Sequence, residues 1–187
     1  MQVQPAVEAP WPAVRGLFDG GGDPSTCSCQ WFRVSGPAFE ALSDEDLRER
    51  LRAECAGPAP GPGVVARRDG VPVGWCGTGP IGGYPRLRRS PLLRGVDPDD
   101  GCWAVTCFVV PERFRRQGVA RALLAGAVEH ARASGATSLL AVPVDPSTRP
   151  RTTPAELYHG PLALFLEAGF TEVARPSAAR AVVRLDL

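Results

Sequence analysis

The run CWAVTCFVV, residues 102 to 110, is apolar almost throughout, and a helix-like segment and a second apolar run, SLLAVPV, follow it. A strand apolar on both faces has to be covered from both sides, as the central strands of α/β sheets are. The segment between the two runs carries Ala120, Leu123, Leu124, Ala127, Val128 and Ala131 at helical spacing and stops at Gly135. A buried strand, an amphipathic helix and a second buried strand make a right-handed crossover with parallel, neighbouring strands. An α/β class with a covered central sheet follows.

The flanking segments extend this core. AVEAPWPAVRGLF reads as a short strand leading into a short helix, and residues 19–37 read as loop from their Gly, Pro and Ser content. SDEDLRERLRAECAG is a helix with Ser43 as N-cap, Asp46 in the first turn and Gly57 at its end. GVVARRDGVPVGWCG is a hairpin that turns at Asp69-Gly70. Residues 80–101 form a second long irregular stretch, of the kind that carries function in a compact domain. GPLALFLEAGF is a short helix with Pro161 at its first position and Gly169 as its C-terminal cap, and TEVAR and RAVVRLDL close the chain as strands. The expected order is β-α-α-β-β-β-α-β-α-β-β, one mixed central sheet flanked by helices, in a single domain spanning 1–187.

Charge and composition exclude several classes. A formal net charge of +1 gives no pull toward nucleic acid or membrane. All 21 basic residues are arginine, which rules out a Schiff-base lysine and the lysine-bearing phosphate loop of nucleotide hydrolases. MQVQPAVEAPWP has neither a basic n-region nor an apolar core, and no run reaches the roughly 20 residues of a membrane span. The expected location is cytoplasmic, with six reduced cysteines. Cys27 and Cys29 form a C-x-C. Cys102 and Cys107 are expected to point to opposite faces of their strand, and His130 and His159 stand apart, so no metal site is expected.

The chemistry concentrates at PERFRRQGVA, where arginines and a glycine open a helix. Free N–H groups and the dipole at a helix start favour anions by up to about 2 kcal/mol. Charge-assisted bonds from Arg115 or Arg116 would each add roughly 1.5–3 kcal/mol. This is a seat for a phosphate or pyrophosphate. Arg115-Arg116-Gln117-Gly118-Val119-Ala120 resembles the Q/R-x-x-G-x-G/A signature of the GNAT superfamily, the acyl-CoA-dependent N-acyltransferases. The element order, the DGVPVGWC hairpin and LFLEAGF are similar to that family's from about residue 40 onward.

The resemblance implies an acetyltransferase that uses acetyl-CoA as cosubstrate, without metal, on an amine of a small molecule or peptide. Backbone N–H groups of Arg115, Arg116, Gln117, Gly118, Val119 and Ala120 would hold the CoA pyrophosphate. Phe108, Val109 and Val110 would pair by backbone with the pantetheine arm, and a strand N–H would polarise the thioester carbonyl. The family's usual tyrosine near the CoA sulfur falls on Phe165, which has no proton to give and is read as packing. Tyr158 and His159, just before that helix, are the catalytic candidates. Glu112 is read as surface, and Asp99 and Asp100, at the entrance to the central strand, either take no part or act as a base through water. Trp31 and Phe32, with the nearby cysteines, wall a pocket or anchor their loop, and Arg86, Arg88, Arg89 and Arg94 receive an acidic acceptor group or are solvated. A longer acyl donor, a non-catalytic acyl-CoA-binding module and an RNA binder are the rival readings. Near-neutral charge disfavours the last.

Overall fold

Strands β1 (Gln2–Pro5), β2 (Gly63–Arg68), β3 (Val71–Pro80), β4 (Cys102–Val109), β5 (Ser138–Ala141), β6 (Thr171–Ser177) and β7 (Arg180–Asp186) form one seven-stranded sheet. Their spatial order is β1-β2-β3-β4-β5-β7-β6. The structure, a computed structural model, describes residues 1–148 and 156–187. The helices are α1 (Trp11–Phe18), α2 (Asp23–Cys27), α3 (Gly36–Glu40), α4 (Asp44–Cys55), α5 (Pro85–Arg88), α6 (Val119–Ala133) and α7 (Leu162–Glu167). The sheet is mixed: β4 and β5 run parallel, joined through α6 as the crossover requires, and their neighbours are antiparallel.

Alternation along the strands divides the core into two layers. Val64, Cys76, Trp103, Val105 and Val183 meet Leu123, Leu124 and Ala127 of α6 and Phe165 of α7. On the other face Val65, Trp75 and Val109 meet Val14, Leu17 and Phe18 of α1 and Leu51 of α4. Beside them Leu140 and Val182 pack under Phe32, Tyr84 and Leu87. Helix α6 sits hard on β1: a Cβ at Gly126 would stand 2.3 Å from Val3 Cγ1.

The local signals hold where their chemistry is complete. Ser43 and Asp46 form a reciprocal cap, with the Asp46 N–H donating to the Ser43 hydroxyl (3.2 Å) and the Ser43 N–H to the Asp46 carboxylate (3.0 Å). Asp69 (φ 51°) and Gly70 (φ 80°) take the left-handed backbone of a tight hairpin turn. The expected loops are more ordered than their composition suggests. Residues 19–37 contain α2 and the start of α3, and residues 80–101 contain α5 and two single 3-10 turns. Each of these short helices has proline in its first turn, where the fixed φ initiates a helix instead of breaking one. Pro161 is the N-cap of α7 and not its first residue, and Gly169 lies one past the Ala168 C-cap. Strand β5 stops at Ala141 because Pro143 has no N–H to donate.

Candidate active site

The site begins where the sheet opens. Parallel pairing of β4 with β5 runs from Cys102↔Ser138 to Val105↔Ala141 and ends there. On its other side β4 stays paired with β3 as far as Trp75↔Val109. Thr106 to Val109 therefore present an edge that no β5 residue occupies. The ladder also slips at this point. Gly77 pairs with Cys107 and the next residue, Thr78, with Val105, so Thr106 is an inserted, bulged residue. Two buried hydroxyls pin the bulge: Thr106 donates to the Gly77 carbonyl (3.2 Å) and Thr78 to that of Ala104 (2.9 Å).

The bulge corrects one expectation. An odd separation should have put Cys102 and Cys107 on opposite faces, but the extra residue shifts the alternation. Cys102 and Cys107 both lie on the face away from α6, and Trp103, Val105 and Phe108 lie toward it.

From the open edge the chain runs through Val110 and one 3-10 turn, Glu112–Phe114, to the start of α6. Arg116 (φ 56°) and Gly118 (φ 77°) turn it sharply. Side chains brace the turn from outside. Arg115 Nε donates to the Val110 carbonyl (3.0 Å), Gln117 Nε2 to that of Arg113 (2.7 Å), and Arg68 of β2 to Gln117 Oε1 (2.8 Å). The Arg115 N–H is already given to the Glu112 carbonyl (3.1 Å). The N–H groups of Arg116, Gln117, Gly118, Val119 and Ala120 have no backbone acceptor among the described residues. These converging donors fit the diphosphate of CoA, and the open edge of Phe108 and Val109, continued by Val110, fits an extended arm with amide groups.

On the far side of the sheet opening, Glu156–His159 forms a single 3-10 turn. His159 is buried beside bulged Thr106, whose backbone only slightly raises the pKa of its ring. Burial and the Arg180 charge push its pKa down to about 3, so the imidazole is neutral. The Tyr158 ring stacks on it at 4.0 Å between centroids. Burial pushes the Tyr158 hydroxyl up and Arg180 only partly opposes this, so the phenol keeps its proton at neutral pH. Tyr158, His159 and Arg180 border a cavity of about 520 Å³ whose other walls come from the two long segments, at Trp31–Pro37 and at Pro85–Leu92. Phe165 is fully buried between Phe108 and Phe170, at 6.1 and 5.2 Å between ring centroids, so it packs and has no proton role.

Residues 29–153 match the acetyltransferase (GNAT) family. The chain belongs to that family. It is an acyltransferase of the acetyl-CoA-dependent kind. No curated protein sequence matches it. Solved structures share its fold. A ribosomal-protein-alanine N-acetyltransferase from Brucella melitensis superposes with TM-score 0.55 at 18% identity, covering 100% of both chains. A GCN5-related N-acetyltransferase from Kribbella flavida gives 0.56 at 22%, over 100% of this chain and 97% of that one. The PaiA N-acetyltransferase from Thermoplasma acidophilum, solved with coenzyme A, gives 0.53 at 10% over 100% of both.

Several other residues of this GNAT protein fall away from the opening. Asp99 binds Thr137 (3.1 Å) and Arg184 (3.5 Å) at the start of β4, the opposite end of the strand from Thr106. Asp100 and Glu112 are exposed. Arg86 and Arg89 line the cavity, whereas Arg88 and Arg94 are exposed outside it. Trp31 and Phe32 are wall residues, but the cysteines are not. Cys29 is buried and accepts from the Trp75 indole N–H (3.3 Å). Its thiol and that of Cys107 crowd Gly77, where a Cβ would stand 2.7 and 3.4 Å from the two sulfurs. Hydrogen bonds from Cys107 and Trp75 hold the Cys29 thiol low, and Cys107 is pushed up as donor. No group of three or more His, Cys, Asp or Glu that could hold a metal occurs among the described residues. Arg180 was missed in the sequence because it opens an ordinary-looking strand, and only the return of β7 beside β5 brings it to Tyr158.

Proposed function

We propose that the protein transfers acetyl from acetyl-CoA directly to a primary amine, of a small molecule or peptide, seated in the cavity beside Tyr158. It does so as a single domain over 1–187. A cytoplasmic setting accords with six free thiols and with no helix among the described residues being long and apolar enough to cross a membrane. The observation that carries the reading is continuity. The open edge of β4 runs from Thr106, beside the Tyr158–His159 pair that borders the cavity, toward the row of unoccupied N–H groups at the start of α6.

Acetyl-CoA supplies an activated acyl group and a thiolate leaving group. The chain supplies the rest. Arg116 to Ala120 hold the diphosphate by backbone N–H groups, and Arg115 braces the turn. Phe108, Val109 and Val110 align the pantetheine arm by their backbone amides, which sets the carbonyl beside the bulge. A strand N–H there favours charge developing on the carbonyl oxygen. The uncharged amine attacks the carbonyl carbon, the carbon–sulfur bond breaks, Tyr158 gives its proton to the departing sulfur, and the proton shed by the nitrogen returns through water to restore the phenol. His159 is neutral and buried, so it positions the phenol by stacking.

Thiol release from acetyl-CoA across a panel of primary amines tests the reading. The expected result is release that depends on the amine and yields its acetamide. Binding of acetyl-CoA without release to any amine would instead favour a non-catalytic acyl-CoA-binding module.

A further inference from the structure

The acceptor cavity is unusually basic. Arg86 and Arg89 stand on its wall and Arg180 beside Tyr158, and among the described residues no Asp or Glu lines it. Arg86 is held flat, its guanidinium 3.5 Å over the Trp31 ring and bonded to the Trp31 carbonyl (3.3 Å). Stacking of that kind leaves the edge of the guanidinium fork available for an oxyanion. The Arg89 guanidinium has no hydrogen bond or ion pair among the described residues, its backbone N–H alone being given to the Pro85 carbonyl (3.2 Å). The remaining walls are mainly apolar, Phe32, Pro37, Pro85, Pro91 and Leu92, with Ser35 and Ser90 between them.

A bare alkylammonium ion is a poor match for such a cavity. At an effective dielectric of about 20, each guanidinium some 8 Å away would repel it by roughly 2 kcal/mol. We propose that the acceptor is an amine that also carries an oxyanion, a carboxylate or a phosphate, on an apolar body of amino-acid size. This rests on the acetyl-transfer reading above. The oxyanion docks on Arg86 and Arg89, and the amine end lies toward Arg180 and Tyr158. The same positive field favours the uncharged form of the amine. That gives a site without a lining carboxylate base a way to present a nucleophilic nitrogen.

The test pairs anionic amines with neutral counterparts: free amino acids against their amides, and ethanolamine phosphate against ethanolamine. Calorimetry on the intact protein should find at least one anionic member bound tenfold or more tighter than its counterpart. The arm that contains it identifies carboxylate or phosphate. Arg86→Gln and Arg89→Gln should each erase that preference and leave acetyl-CoA affinity unchanged, and Arg89→Lys should keep part of it. Equal binding of both members throughout, or a preference that survives both glutamine substitutions, overturns the proposal. Coenzyme A release on the same panel separates the two readings. Anion-selective binding without release sinks acetyl transfer alone, and release favouring neutral amines sinks anion selection alone.

Discussion

At the scale of single residues, the proposed roles follow from a Tyr158 that keeps its proton and a His159 that lacks a second one. Tyr158→Phe should lower kcat by about tenfold or more with acetyl-CoA affinity unchanged, since general acid catalysis typically supplies 10²–10⁴. A full kcat at every pH would mean that the thiolate departs unaided. His159 carries a stability signature as well. Its folded pKa near 3 lies below the roughly 6.5 of an unfolded histidine, so between those values only the unfolded chain takes up the proton. Stability is complete above about pH 6.5 and falls by about 1.4 kcal/mol per unit as pH drops toward 3. Urea unfolding at pH 6.5 and 5 should show this slope in the native protein and its loss in His159→Gln; parallel slopes would contradict a buried neutral ring. Gly118 needs its left-handed φ of 77°, which asparagine tolerates, and no protein atom lies within 4 Å of a Cβ there. Gly118→Asn should therefore fold normally yet bind acetyl-CoA about tenfold more weakly, about 1.4 kcal/mol, because the Cβ fills the phosphate position. An unchanged Kd would reduce the requirement to backbone conformation alone.

At the scale of elements, α6 presents its start to the proposed diphosphate seat and its body to β1. Alanine at Gly126 would gain up to about 1 kcal/mol of helix propensity, but its Cβ meets Val3 at 2.3 Å. We expect Gly126→Ala to cost about 1–3 kcal/mol in denaturant melts and to become neutral or stabilising with Val3→Ala. Equal effects in both backgrounds would mean that the helix and β1 do not press together. Elements with self-contained signals were legible from sequence: β4 by its two-sided apolarity, α6 by period, α4 by its cap, the hairpin by Asp69-Gly70. The strand-to-helix turn proposed as the diphosphate seat was legible too, because a strand end, a glycine and a helix start are adjacent in the chain. The short helices α2, α3 and α5 were hidden because proline was read as punctuation. The cavity was only half visible. Its loops stood out by length, but which arginines face inward depends on α5, and Arg180 arrives from a strand more than 80 residues away. The bulge had no sequence signal, since Thr106 reads as any strand residue.

At the scale of the whole molecule, the sheet is two wings, β1 to β4 and β5 to β7. The pairing between them is limited to Cys102–Val105 against Ser138–Ala141. The acyl donor's proposed arm would lie where that seam is open. Acetyl-CoA should then slow amide exchange at Thr106 to Val110 and at Val142 to Val144 more than elsewhere in the sheet. At one hundred times its Kd it should add about 2.7 kcal/mol of stability. Uniform slowing, or protection confined to α6, would argue that the arm does not lie in the seam.

The bulge at Thr106 acts as a phase slip in a two-state pattern. Before it, even-numbered residues of β4 look toward the cavity side, and after it the odd-numbered ones do. Deleting Thr106 would thus be a trim, not an inversion: Cys107 would follow Val105 in plain alternation, so Cys107 and Val109 would keep to the cavity side and Phe108 to Phe165. Ironing the bulge flat with Thr106 retained is what would invert the strand. Cys107 and Val109 would then turn into the helical layer and Phe108 away from it, with no change of length or composition.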